Sequence, residues 1–211
     1  MTRRSLTSIL AVTAAFTASA GAYAATYLPD KEPPAVAAQR PYAPVQAVPA
    51  EQAAAFEVLR TAPPQARGRV VSLPDNAAQA IAKGPQPDLG ANANLARNAG
   101  TDVAENDLYV VPASGWTCLT GADGISSCNT VEEALQGRLI SLSTQPDGRL
   151  LLRGMLPDGA RDVQVIDGAL MLSVTPESNV YSVEVSPHVR EIRFTDIAGV
   201  AHVVPLEGMP T

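Results

Sequence analysis

The chain has 211 residues, a formal net charge of −6 and only 4% aromatic residues. This length suffices for one or two domains. The acidic balance excludes nucleic acid as an expected partner and disfavours anionic membrane surfaces, because both are bound mainly through Lys and Arg. The prolines lie mostly in the first 90 residues, so the chain is not expected to be globular throughout.

Residues 1–24 have the pattern of a signal peptide. Arg3 and Arg4 form a positive start, an apolar stretch rich in Ala, Thr and Ser follows, and the tripeptide AYA at 22–24 matches a small-x-small cleavage site. The pattern predicts an extracytoplasmic protein, secreted or held in the cell envelope. The alternative is an uncleaved N-terminal anchor, because about 20 apolar residues can span a bilayer. In that case the membrane is contacted only through this segment.

The next two segments are predicted to contribute little to a core. Residues 25–49 are Pro-rich, and because proline lacks an amide donor they are expected to form a disordered linker. Residues 50–106 are predicted to hold short helices and loops. The helix candidates are 50–60, which is rich in Ala, and 88–99, which begins on an Asp and ends before a Gly.

Residues 107–206 change to a period of two, which predicts an antiparallel β domain. The run 170–174 alternates in this way, and the Asp-Gly pair at 167–168 in front of it is typical of a tight hairpin. A short helix is predicted at 131–136. Strands are predicted near 108–112, 115–119, 138–144, 149–155, 161–167, 169–175, 179–185, 189–195 and 200–204. The fold class is therefore mainly β, as a small antiparallel sandwich or an open barrel.

Cys118 and Cys128 are the only two cysteines. An even number of cysteines in an exported chain predicts a disulfide, since the compartment is oxidising. Two cysteines and two distant histidines, His188 and His202, do not match a metal site. No metal and no cofactor are therefore expected.

The sequence contains no recognisable catalytic motif, such as a Gly-x-Ser-x-Gly elbow, a phosphate-binding loop or a His-Glu-x-x-His helix. Trp116 and Tyr181 are the candidates for a binding surface, because aromatic side chains often anchor interfaces. The alternative for both is structural. Trp116 would then pack on the neighbouring disulfide, and Tyr181 would be a core residue that follows a turn.

Five segments of the sequence can be compared with known proteins: AFEVLR within 54–60, GANANLAR at 90–97, YVVPASGWTCLTGADGISSC at 109–128, LPDGARDVQVIDG at 156–168 and NVYSVEV at 179–185. Together they resemble a group of uncharacterised exported proteins of high-GC, actinobacterial soil bacteria. This resemblance covers most of residues 54–205 and implies architecture and export, but no catalytic residues.

Three functions are compatible with these patterns. The first is an exported, non-enzymatic module with a binding or structural role in the cell envelope, whose partner is an envelope protein or a wall component. The second is an extracytoplasmic hydrolase whose site the sequence does not reveal, for example one that uses His188 with a carboxylate. The third is an envelope regulatory protein held by an uncleaved anchor.

Overall fold

The computed structural model describes residues 42–61, 73–83 and 89–206. The predicted signal peptide and all of the predicted linker before Tyr42 lie outside the described residues. Within the described ranges, the helices are all too short or too polar to cross a membrane.

The described part is mainly β, as predicted, with eleven strands and four short α-helices. The helices are α1 (Ala50–Ala55), α2 (Glu57–Thr61), α3 (Asp75–Lys83) and α4 (Val131–Leu135), with a 3-10 turn at Ala93–Leu95. The strands are β1 (Arg97–Thr101), β2 (Asp107–Pro112), β3 (Trp116–Gly121), β4 (Ser126–Thr130), β5 (Ile140–Thr144), β6 (Leu150–Met155), β7 (Arg161–Asp167), β8 (Leu170–Ser173), β9 (Val180–Val185), β10 (Val189–Thr195) and β11 (Ala201–Pro205).

The strands form three open antiparallel sheets, so of the two predicted forms the sandwich is correct and the barrel is not. Sheet A has the order β1-β2-β3-β4, sheet B has β5-β6-β9, and sheet C has β11-β10-β7-β8. Sheets B and C exchange strands in the Greek-key manner, because β9 returns to pair with β6 in sheet B after β7 and β8 have joined sheet C. Sheet A is a simple meander that precedes them in the chain.

Three hydrophobic cores separate the layers. Leu152 of sheet B and Val165 of sheet C share the first core, while Leu119 of sheet A and Met155 of sheet B share the second. The third core lies on the other face of sheet A, where Ala77 of α3 meets Val111. Sheet B is therefore the middle layer. All six residues of its central strand, β6, are buried, which explains why β6 reads LLLRGM rather than as an alternating strand.

All nine predicted strands are present, and α4 begins as expected. Thr130 and Glu133 form a reciprocal capping box at its start. The single helix predicted at 50–60 is instead two helices, because Phe56 adopts an extended conformation and is fully buried in the second core.

The helix predicted at 88–99 is wrong. Its described part contains the 3-10 turn and the start of β1, which pairs with β2 through a bulge between Asn98 and Gly100. Two strands in the described part, β1 and β4, were not predicted, because RNAGT and SSCNT lack apolar alternation and owe their conformation to their neighbours. Sheet A thus begins at Arg97, ten residues before the predicted β domain.

Candidate functional site

The disulfide predicted between Cys118 and Cys128 is present. The two cysteines lie directly opposite each other on β3 and β4, with Cα atoms 4.1 Å apart. Cys118 is fully buried in the third core, and Trp116 packs against the same core while staying partly exposed. The structure thus places the bond and the tryptophan at the packed face beneath α3.

Tyr181 lies inside the core between sheets B and C and is 3% exposed. Its ring covers Gly154 on the neighbouring strand, where any side chain would collide with the tyrosine hydroxyl. The buried hydroxyl has no hydrogen-bond partner among the described residues, and burial raises the pKa of Tyr181. Tyr181 therefore contributes packing and offers no exposed surface.

Arg153 on β6 is the centre of a buried ionic cluster. Its side chain is 1% exposed, and its Nη2 donates to Asp102 Oδ2 and to Asp123 Oδ2, each at 2.5 Å. Asp102 is itself fully buried and also accepts hydrogen bonds from the backbone N–H groups of Ala104 and Asn106. Because the carboxylates come from two turns of sheet A, the cluster joins sheet A to sheet B.

A side-chain clasp holds the α1–α2 segment against the loops of the sandwich. Asn179 Oδ1 accepts the N–H of Val58 at 2.9 Å, and Asp158 Oδ1 accepts the N–H of Glu57 at 2.6 Å. Asn179 also donates to Asp158 at 2.8 Å, and Asp158 pairs with Arg60 at 2.6 Å. The clasp therefore joins α2 to the β6–β7 and β8–β9 loops.

Ser186 lies near His188 and Asp167 at the β9–β10 turn, but its hydroxyl does not bond to the imidazole as a serine nucleophile would. The hydroxyl of Ser186 donates to Asp167 at 2.5 Å and accepts the backbone N–H of His188 at 3.1 Å. A serine nucleophile requires its hydroxyl to face a base such as the imidazole. Here the serine proton is held by a buried carboxylate, so the group caps a turn. An open depression of about 570 Å³ beside it is lined by Pro187, His188 and Arg190.

His202 and Asp196 form a second polar pair at the opposite end of sheet C. His202 Nε2 lies 2.9 Å from Asp196 Oδ2, and the imidazole stacks on Phe194 with ring centres 4.7 Å apart. The hydrogen bond with His202 holds the pKa of Asp196 below its usual range, helped by the N–H of Val200. The Asp196 carboxylate and the His202 imidazole thus stabilise the β10–β11 hairpin.

A small cleft of about 200 Å³ lies where the β1–β2 turn meets β9. Its polar side chains include Asp102, Ser182 and Glu177. Asp102 is held by Arg153, and Ser182 Oγ accepts the N–H of Val103 at 3.0 Å. No group of three or more His, Cys, Asp or Glu within the described ranges could hold a metal ion.

The ionic cluster and the clasp were not predicted. The signal for Arg153 was a charged residue inside the apolar run LLLRGM, which in a strand buried on both faces requires carboxylate partners. No sequence pattern identified those partners, since Asp102 and Asp123 lie 51 and 30 residues away.

Comparison with known proteins finds no matching family model, no similar curated protein and no similar solved structure. The Greek-key connectivity of sheets B and C describes architecture, and architecture of this kind carries no function by itself.

Proposed function

We propose that the protein is an exported, non-enzymatic module of the bacterial cell envelope that binds a protein partner through its β10–β11 hairpin. The observation that carries the proposal is the exposure of three aliphatic side chains in this one hairpin. Ile197 is 76% exposed, Val203 58% and Val200 54%. Apolar side chains grouped at one place on a surface are typical of interaction sites.

The hairpin is held in a fixed shape. Its turn is closed by a bond from the N–H of Asp196 to the carbonyl of Val200 at 2.9 Å, and the N–H of Val200 returns to the Asp196 carboxylate at 2.9 Å. A preorganised surface loses little conformational entropy when it binds. This rigidity supports a role in recognition.

The chemistry of the surface favours a protein over a wall polysaccharide. Ile197, Val200 and Val203 offer only hydrocarbon, which gains free energy when it is buried against other hydrocarbon. A polysaccharide presents mainly hydroxyl groups, and the one tryptophan of the chain, Trp116, packs instead against the third core.

Two further observations support export and a non-enzymatic role. The disulfide suits an oxidising compartment outside the cytoplasm, in line with the signal-like pattern at 1–24. The polar groups of the cluster at Arg153, of the clasp at Asn179 and of the turn at Ser186 bond to one another. These polar groups therefore stabilise the folded structure.

The test is site-specific photo-crosslinking in the producing cell. A photoreactive residue at Val200 should give a discrete adduct with an envelope protein, and one at Asp147, in the polar β5–β6 turn, should not. Adding Val203→Glu should remove the Val200 adduct while export and folding persist. Equal labelling at the two positions, or an adduct that survives Val203→Glu, would refute the proposed surface.

A further inference from the structure

We propose that the β8 edge, defined as residues 170–174, pairs with the same edge of a second copy of this chain, so that two C sheets join into one. Among the described residues, β8 is an edge strand of sheet C, since only β7 pairs with it. An edge strand presents unpaired N–H and C=O groups that can template another strand. The inference concerns the edge opposite the β10–β11 hairpin and does not depend on the proposed function.

The hydrogen-bond register shows which backbone groups face outward. The N–H of Val174 bonds to the carbonyl of Val163 at 2.9 Å, so the β7–β8 ladder runs through Val174. Bonded and non-bonded residues alternate in an antiparallel ladder. Leu172 therefore directs its backbone to β7, while Met171 and Ser173 direct theirs to the open edge.

The side chains along this edge are apolar and incompletely covered. Leu170, Leu172 and Val174 share the face that looks toward sheet B, because side chains two apart lie on one face. Leu172 and Val174 are only partly buried at the margin of the first core, and Leu170 is 63% exposed. Met171, on the other face, is 60% exposed.

A second copy fits this edge better than an unrelated segment, because the edge is self-complementary. A two-fold axis at Leu172 lets Met171 of each copy exchange backbone hydrogen bonds with Ser173 of the other. The same axis places Leu172 opposite its equivalent and Leu170 opposite Val174. The three apolar side chains of each copy then continue into one row that covers the exposed Leu170.

The distribution of charge in the sequence also favours a second copy of this chain at the β8 edge. The chain carries a net charge of −6, so two copies repel each other on average. The stretch 168–176 has no charged side chain, which makes it a place where two such chains can approach without local repulsion. Natural sheets protect their edges with charge or proline. The β11 strand ends in Pro205, whereas residues 170–174 contain neither, and the next proline, Pro176, lies beyond them.

The first test is sedimentation velocity of the full chain over concentrations up to about 1 mM, where even a weak dimer is populated. Wild type should shift toward dimer, and Leu170→Glu should lower the association constant at least about tenfold, since it places two carboxylates in the apolar row. The matched control is Val203→Glu on the opposite edge of sheet C, which should change the constant less than about twofold. A monomer throughout this range, or a dimer equally sensitive or insensitive to both substitutions, overturns the proposal.

The second test examines the register. The residues at 172 would form a non-hydrogen-bonded pair with Cα atoms about 4.5 Å apart, a separation that a disulfide can bridge. Leu172→Cys should therefore form a covalent dimer under mild oxidation, whereas Val203→Cys should not. Cross-linking of the Leu172→Cys variant only to other proteins would assign the edge to a different occupant and overturn the proposal.

Discussion

Arg153 Nη2 lies 2.5 Å from Asp102 Oδ2, with the arginine side chain 1% exposed and the aspartate 0% exposed. A charge taken out of water is tolerated only when it is paired and hydrogen-bonded. This pair therefore ties the β1–β2 turn of sheet A to the central strand of sheet B. It lies at the junction of two layers that share the second core, where Asp123 also pairs with Arg153 and Ser182 Oγ accepts the N–H of Val103.

We expect Asp102→Ala to lower the free energy of unfolding by about 3–5 kcal/mol, because it leaves the buried guanidinium short of a partner. Asp123→Ala should cost less, since the Asp123 side chain is 22% exposed and water can replace it. Denaturant unfolding of both variants checks the order. Equal losses, or a negligible loss for Asp102→Ala, would contradict the assignment of Asp102 as the main buried partner.

Asn179 stabilises the α1–α2 segment through its amide as well as its oxygen. Asn179→Asp keeps the shape but replaces the donor to Asp158 with a second negative charge, and like charges in contact repel. The stability should fall by about 1–3 kcal/mol, and the amides of Glu57 and Val58 should exchange faster. Asn94→Asp in the exposed 3-10 turn is the matched control and should leave both observables unchanged.

The disulfide is expected to be closed in the native protein and to support the fold. Replacing Cys118 and Cys128 together with Ala should lower the unfolding free energy by about 2–4 kcal/mol. Reduction of the wild type should give a similar loss. Thiol labelling supplies the check, because two cysteines that react without denaturant would show that the bond is absent.

The Asp196–His202 pair predicts a pH dependence. The folded-state pKa of Asp196 is lowered, first by the hydrogen bond with His202. The ionised carboxylate therefore stabilises the folded state above its unfolded pKa of about 4, and this contribution is lost as the pH falls through the folded-state value. The stability difference between wild type and Asp196→Asn should be present above about pH 5 and shrink below about pH 4.

Thermal unfolding followed from pH 2 to pH 7 measures this difference. Glu132→Gln on α4 serves as the control, because no described hydrogen bond involves its carboxylate. A gap for Asp196→Asn that stays the same down to pH 2 would show that the carboxylate charge does not contribute.

Export with cleavage after residue 24 is expected from the sequence. Mass spectrometry of the protein recovered outside the cytoplasm should find a mature N-terminus near Ala25. Recovery of the chain with Met1 still attached would favour the uncleaved anchor and, with it, the regulatory alternative.

The sequence by itself determined the local elements. Short apolar runs between turns, most of them alternating, located nine strands, and the position after Thr130 located the start of α4, because such patterns act within a few residues. The even cysteine count likewise predicted the bond between Cys118 and Cys128. The strand and helix signals are each complete within a short stretch of chain, whereas the disulfide prediction depends on the cysteine count of the whole chain.

Only the tertiary structure decided how the layers meet. β1 and β4 have no pattern of their own and became strands because β2 and β3 offered them hydrogen bonds. Tyr181 and Arg153 were buried because sheet B is covered on both faces, which a period of two cannot reveal. The partners of Arg153 and Asn179 come from 21 to 121 residues away. Contacts at such separations depend on the packing of whole sheets and leave no local signature.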